Sequence, residues 1–286
     1  MPRKCFVCGT VYKCEAYIDK VFHNIDQIKS LFTDIHIVVS YDKCDDHTLR
    51  KLIEHKSRFP KYDICINTQP RTLVRTENIS NARNRILEKM RELLATPEYD
   101  ADEWTHFIMM DFDDVCEKPI QLPILQKYLG VEWIDRWDAL SFNRKFYYDI
   151  WALSFIPFWY SCWGFHDPYT VVYIIREEIT RQLAALGPDE VFECDSAFNG
   201  FAIYRCSKFL GSNYDWHLPK QYITEQQMKM NIGALGFRQP LTPIHQISEE
   251  ADCEHRHFHM RAKHEFGARI FISPMCLFEG EVTSHR

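Results

Sequence analysis

In the stretch HFIMMDFDDV, residues 106–115, four apolar residues run into Asp111, Asp113 and Asp114, three carboxylates within four positions. Like charges at that spacing repel and resist desolvation, so an apolar strand that ends in them implies a positive ligand. Residues two apart in a strand point the same way, which sends Asp111 and Asp113 out together. Their hard oxygens suit Mn²⁺ or Mg²⁺, an ion that keeps positions open for substrate phosphates. With arginines nearby, the pattern reads as a site for a nucleotide diphosphate, whose leaving charge the metal neutralises.

A second constellation lies in DCEHRHFHMRAKHEF, residues 252–266. Asp252 or Glu254, at the start of a helix, could take a proton from an acceptor hydroxyl. On that helix His255 and His259 share a face while His257 turns away. His255 could therefore add a ligand to the metal of the aspartates. An alternative is a zinc hydrolase built on Cys253, His255, His257 and His259, which would leave the aspartates without a purpose.

Positioning these groups requires a sheet. KCFVCGTV (4–11), IHIVVS (35–40), DICIN (63–67) and HFIMM (106–110) read as strands. Between them, apolar spacing of three and four predicts helices over 14–32, over 48–55 and from about Asn78, with Asn78 or Ser80 as N-cap. Further on, helices are predicted near 170–186 and over 249–266, and strands over 198–205 and 268–274. Alternation of this kind implies a largely parallel sheet covered on both faces, with the ligand crevice at the strands' carboxyl ends. The acidic loop YDKCDD, the arginines after the third strand and the D-x-D all fall there.

Residues 124–173 differ in character and hold five of the seven tryptophans. Such an aromatic-rich insertion packs a core, or stacks on the C–H faces of a sugar. Trp159 and Trp163 are the candidate acceptor contacts.

ENISNARNRILEKM (77–90), followed by FIMMDFDDV (107–115), resembles the family-2-type glycosyltransferases of the GT-A fold, whose helix carrying Ala-Arg-Asn leads to a strand ending in D-x-D. RTLVRTENISNARNRIL also resembles the fungal capsule-associated mannosyltransferases. FNGFAIYR (198–205) is similar to the family's Gly-containing strand beside the acceptor. Residues 252–272 are similar to its acid-led helix and following strand, although His255 stands where the family has Asp.

The resemblance implies a single domain over 1–286, with a nucleotide-sugar half (1–118) and an acceptor half (119–286). The implied fold is α/β, a Rossmann-like and mostly parallel sheet. Asp111, Asp113 and Asp114 would hold metal and donor sugar, and Asp42 would meet base or ribose. Gly9 and Thr10 would offer backbone to the nucleoside. Arg83 would meet the diphosphate, Asn84 would support that loop, and Asn199 and Gly200 would border the acceptor. A UDP-sugar is favoured as donor, a glycan hydroxyl as acceptor, and an inverting transfer with Glu254 or Asp252 as base. A catalytically inactive carbohydrate-binding protein on the same scaffold is a further alternative.

The bulk composition limits the rest. A net charge of -6 gives no basic face for nucleic acid. No run reaches the roughly 18 apolar residues of a membrane span. Eleven cysteines, odd in number and irregular in spacing, with no signal-peptide pattern, predict reduced thiols and a cytoplasmic location. Cys5 and Cys8 lie in a strand, where three positions apart means opposite faces.

Overall fold

The computed structural model describes residues 4–159, 168–235 and 251–280. Its first half alternates β1 (Lys4–Val11), α1 (Ile18–Lys29), β2 (Asp34–Asp42), α2 (Thr48–Lys56), β3 (Tyr62–Asn67), α3 (Arg75–Leu94) and β4 (His106–Met110). The second half runs α4 (Leu122–Tyr128), β5 (Ala139–Asn143), α5 (Pro168–Ala184), β6 (Phe192–Cys194) and β7 (Phe201–Arg205). It ends with α6 (Cys206–Phe209), α7 (Glu225–Ala234), α8 (Glu254–Phe266) and β8 (Ile270–Cys276).

One eight-stranded sheet results, in the order β3-β2-β1-β4-β7-β5-β8-β6. The four strands of the first half are parallel. β7 runs antiparallel between β4 and β5, β8 pairs parallel with β5, and β6 closes the edge antiparallel to β8. The sheet is thus mixed in its second half, where β7 inserts antiparallel between β4 and β5.

Period-two alternation assigns the faces. Cys5 and Val7 pack with α1, α2 and α4, whereas Phe6 and Cys8 pack with α3, α5 and α8. Both faces are covered, so β1 is apolar almost throughout. Cys5 and Cys8 sit in opposite layers, and every described cysteine is a free thiol.

Helix starts differ from the sequence reading in three places. α1 begins at Ile18, because Cys14–Tyr17 forms a turn in which the Cys14 amide donates to Thr48 Oγ1 at 2.9 Å. α3 begins at Arg75 rather than Asn78. The Asn78 side chain instead ties the incoming loop to the first turn through Thr72 and the Val74 carbonyl. α8 begins at Glu254, since the Asp252 amide is drawn off to the Trp216 carbonyl at 2.7 Å.

Candidate active site

β4 ends at Met110, and its register delivers the acids to the crevice. The Asp111 amide donates to the Gly200 carbonyl at 2.9 Å, which extends the β4–β7 pairing by one rung. Phe112 turns into the core layer of α1, against Gly9; a Cβ at Gly9 would lie 2.2 Å from that ring. Gly9 is therefore glycine to let Phe112 pass. Asp113 caps the short 3-10 turn Asp114–Cys116, accepting from the Val115 amide at 3.1 Å. All three aspartates remain partly exposed.

Arg83 lies beneath them. It is 4% exposed, with its guanidinium carbon 4.7 Å from the Phe198 ring centre and 5.6 Å from that of Tyr214. Its Nη2 reaches Asp111 Oδ1 at 3.3 Å, and its Nη1 donates to Glu254 Oε1 and to His255 Nε2. Burial alone would favour a neutral group, but the charge of Glu254 holds the guanidinium protonated. Helix α3 thus links the acid at the end of β4 to the acid at the start of α8. The resemblance put Arg83, Asp111 and Glu254 in one site, and the fold brings them together across 171 residues of chain.

His255 is turned toward Arg83, not toward the aspartates. Its Nε2 accepts from the guanidinium, so the ring proton sits on Nδ1; burial, then Arg83, push its pKa well down. A nitrogen committed to a guanidinium is not open to a metal. His259 is held at Nδ1 by Ser196 Oγ and at Nε2 by Tyr204 Oη, each at 2.9 Å, and its pKa is pushed down to about 3 by burial. His257 donates from Nδ1 to the Asn213 carbonyl. Burial pushes the Cys253 thiol up, away from the thiolate that zinc requires. Among the described residues no three His, Cys, Asp or Glu side chains group as a metal cage, and the zinc-hydrolase alternative loses its ligands.

Asp252 is not brought to the crevice. It is fully buried and paired with Arg256 at 2.6 Å, one turn along α8. Arg256 also donates to the Trp151, Leu153 and Trp159 carbonyls and to Ser154 Oγ, so the pair seals the aromatic segment to α8. Trp159 is itself buried, against Leu218, Ile223 and Met260, which is packing rather than an open sugar platform. Trp163 lies outside the described residues.

At the end of β2, Asp42 is 4% exposed and accepts from Asn67 at 2.9 Å, Arg71 at 2.9 Å and Arg85 at 2.5 Å. A cleft of about 400 Å³ adjoins it, lined in part by Asn67, Gln69, Asn81, Asn84 and Arg85. Thr10 is partly exposed near the carboxyl end of the neighbouring strand β1. Asn84 clamps the Tyr214 backbone at both its amide and its carbonyl, 2.8 and 2.9 Å.

Asn199 and Gly200 hold left-handed backbone, φ 55° and 87°. Asn199 is buried. Its Oδ1 accepts from the Tyr148 and Asp149 amides, each at 3.3 Å, and its Nδ2 donates to the Phe142 carbonyl at 3.0 Å. A Cβ at Gly200 would lie 2.3 Å from Val115 Cγ1 and 2.9 Å from the Tyr148 hydroxyl. These two residues shape the wall of the crevice from behind.

Two residues of that wall escape a motif-based reading. The Tyr148 hydroxyl donates to Asp111 Oδ2 at 2.9 Å. Asp149, partly exposed, caps the 3-10 turn Ile150–Ala152, and burial, then the charge of Glu254, push its pKa up to about 6. The available signal was a lone acid inside the aromatic run FYYDIWALSF, where burial penalises it unless it has a task.

No family model matches the sequence, and no curated protein matches it. Solved structures match the fold. The chain aligns over 99% of its length, at 14% identity and a TM-score of 0.50, with S. aureus TarS 1–349 in complex with UDP-GlcNAc, spanning 60% of that chain. It aligns over 84% with the Pyrobaculum calidifontis mannosyltransferase PcManGT bound to GDP-Man and Mn²⁺ (11% identity, TM-score 0.41, 54% of that chain). It covers 72% of its length with the Mycobacterium tuberculosis glucosyl-3-phosphoglycerate synthase (13% identity, TM-score 0.41, 57% of that chain). The chain thus spans about three fifths of the solved chains it resembles, and its α/β architecture is that of the GT-A glycosyltransferases.

Proposed function

We propose that the chain is a metal-dependent glycosyltransferase that moves a sugar from a nucleotide diphosphate to a hydroxyl of a glycan acceptor. Residues 1–118 would supply most of the donor site and residues 119–286 the acceptor side. The carrying observation is a charge imbalance: Asp111, Asp149 and Glu254 surround one buried cation, Arg83. Burial raises the pKa of Asp111 despite that arginine. Carboxylates left under-compensated in this way favour a bound cation.

The donor set fits Mn²⁺ or Mg²⁺, because such ions take one or two carboxylates and fill their shell with water and substrate phosphate, needing no protein cage. Asp111 and Asp113 would hold the ion, with Asp114 on metal or donor sugar. Its chemistry there is to neutralise the diphosphate as it departs. Arg83, fixed by Glu254 and His255, adds a preorganised positive charge on the same side. At the other end of the crevice Arg71 and Arg85 flank the Asp42 carboxylate. A UDP-sugar is the favoured donor, as in the TarS complex with UDP-GlcNAc. No helix among the described residues is long and apolar enough to cross a membrane.

A thermal-shift panel of nucleotide sugars with Mn²⁺ tests the reading. A ligand at about 100 times its Kd adds about 2.7 kcal/mol, so the true donor should stand apart. Asp113→Ala is expected to abolish the Mn²⁺-dependent shift and to lower ligand-free melting by no more than the lost Val115 cap, about 0.5–2 kcal/mol. A normal donor shift in Asp113→Ala, or none in the native chain with any nucleotide sugar, would sink it.

A further inference from the structure

We propose that Asp149, rather than an acid of α8, takes the proton from the attacking hydroxyl; this role rests on the glycosyl-transfer reading above. Three carboxylates could serve, and their surroundings separate them. Asp252 is fully buried and bound to Arg256. Glu254 is 4% exposed and bound to Arg83, so protonating it would break the pair that aims the guanidinium. Asp149 is partly exposed; among the described residues its carboxylate takes backbone amides only, Ala152 at 3.3 Å and Asn199, and no salt bridge ties it to a cation.

Its placement is built. Asn199 receives the amides of both Tyr148 and Asp149 on one oxygen, and Arg144 Nε braces the Asn199 carbonyl at 3.0 Å. Tyr148 is pinned to Asp111 by its hydroxyl. Consecutive residues therefore do different things: one orients an acid of the D-x-D, and the next offers a carboxylate from the acceptor side of the crevice. Burial and the nearby Glu254 charge push the Asp149 pKa up to about 6, which makes it a better proton acceptor than an ordinary carboxylate while leaving it ionised at neutral pH. His255 provides the complementary reason. It stands where the resembling enzymes carry their acid, yet it is buried, neutral and engaged with Arg83, so the base has to come from another element.

The step balances. The acceptor oxygen bonds to the anomeric carbon as its proton passes to Asp149. The bond from that carbon to the diphosphate oxygen breaks, and its electron pair leaves with the diphosphate.

The test needs no known acceptor, because water can serve. UDP release from a panel of UDP-sugars with Mn²⁺ would be measured beside the donor thermal shift, in the full chain and in Asp149→Asn and Asp149→Ser. Both variants are expected to keep the donor shift and to release UDP about 10²–10⁴-fold more slowly. Release within about threefold of native overturns the role. Loss of the donor shift together with turnover in both variants also overturns it, since Asp149 would then hold donor. A native chain with neither donor shift nor UDP release sinks the glycosyl-transfer reading itself, a result distinct from either.

Discussion

Replacing Arg256 with Met removes a guanidinium that has no exposure and leaves its partner with none. Among the described residues Arg256 donates to Asp252, to three carbonyls of the 151–159 segment and to Ser154 Oγ. Methionine fills part of the volume but none of those bonds, and it strands the Asp252 carboxylate away from water. Breaking a buried pair by removing one partner costs about 3–5 kcal/mol. At about 2 °C per kcal/mol for a chain of this size, the melting temperature should fall by roughly 6–10 °C. Scanning calorimetry without metal or nucleotide reads this directly. The double variant Asp252→Asn, Arg256→Met should recover a large part of the loss, because the stranded charge is then gone. Melting of the single variant within 2 °C of native would refute the reasoning. So would an Asp252→Asn chain that melts like native yet has lost UDP release, which would place Asp252 in the reaction.

Acid should destabilise the fold through its buried histidines. Burial pushes His106 and His259 down to about 3, so between about 3 and 6.5 the unfolded chain binds protons that the native one refuses. Their stability is whole above 6.5 and is lost as pH falls, at about 1.4 kcal/mol per pH unit for each. Asp149, raised to about 6, acts with the opposite sign down to its ordinary range and offsets about one of them. Urea midpoints that stay flat from pH 7 to 5 would contradict this, and His259→Gln should reduce the slope. Gly200→Ala forces a methyl group toward Val115 and the Tyr148 hydroxyl at a left-handed φ. It should cost about 1–3 kcal/mol in urea unfolding and weaken the Mn²⁺-dependent nucleotide shift. An alanine variant with native stability and native shift would show that this wall of the crevice is not needed.

Periodicity was enough to place the elements of the first half, because β1, β2 and β4 are apolar on two faces and α1 and α3 each show a single stripe. The D-x-D, the Ala-Arg-Asn helix and the acid at the start of α8 were legible as separate motifs, since each has a local signature of type and spacing. What the chain order does not contain is which polar groups are spent on one another. Asp252 and Glu254 are two residues apart at one helix start; Arg256, four residues after Asp252, is a local hint, but spacing alone does not bury that pair or give Glu254 its partner. The packing of 151–159 against α8 encloses the Asp252–Arg256 pair, and only the approach of α3 gives Glu254 to Arg83. Trp159 reads equally as core or as sugar platform until its neighbours are known. Tyr148 and Asp149 carry no motif, and the left-handed turn at Asn199 puts them at the crevice by holding their amides. Local sequence therefore determined the elements and the charges at their ends. Tertiary contacts decided which charges Arg83 compensates, because its pairs with Asp111 and Glu254 span 28 and 171 residues that no spacing along the chain encodes.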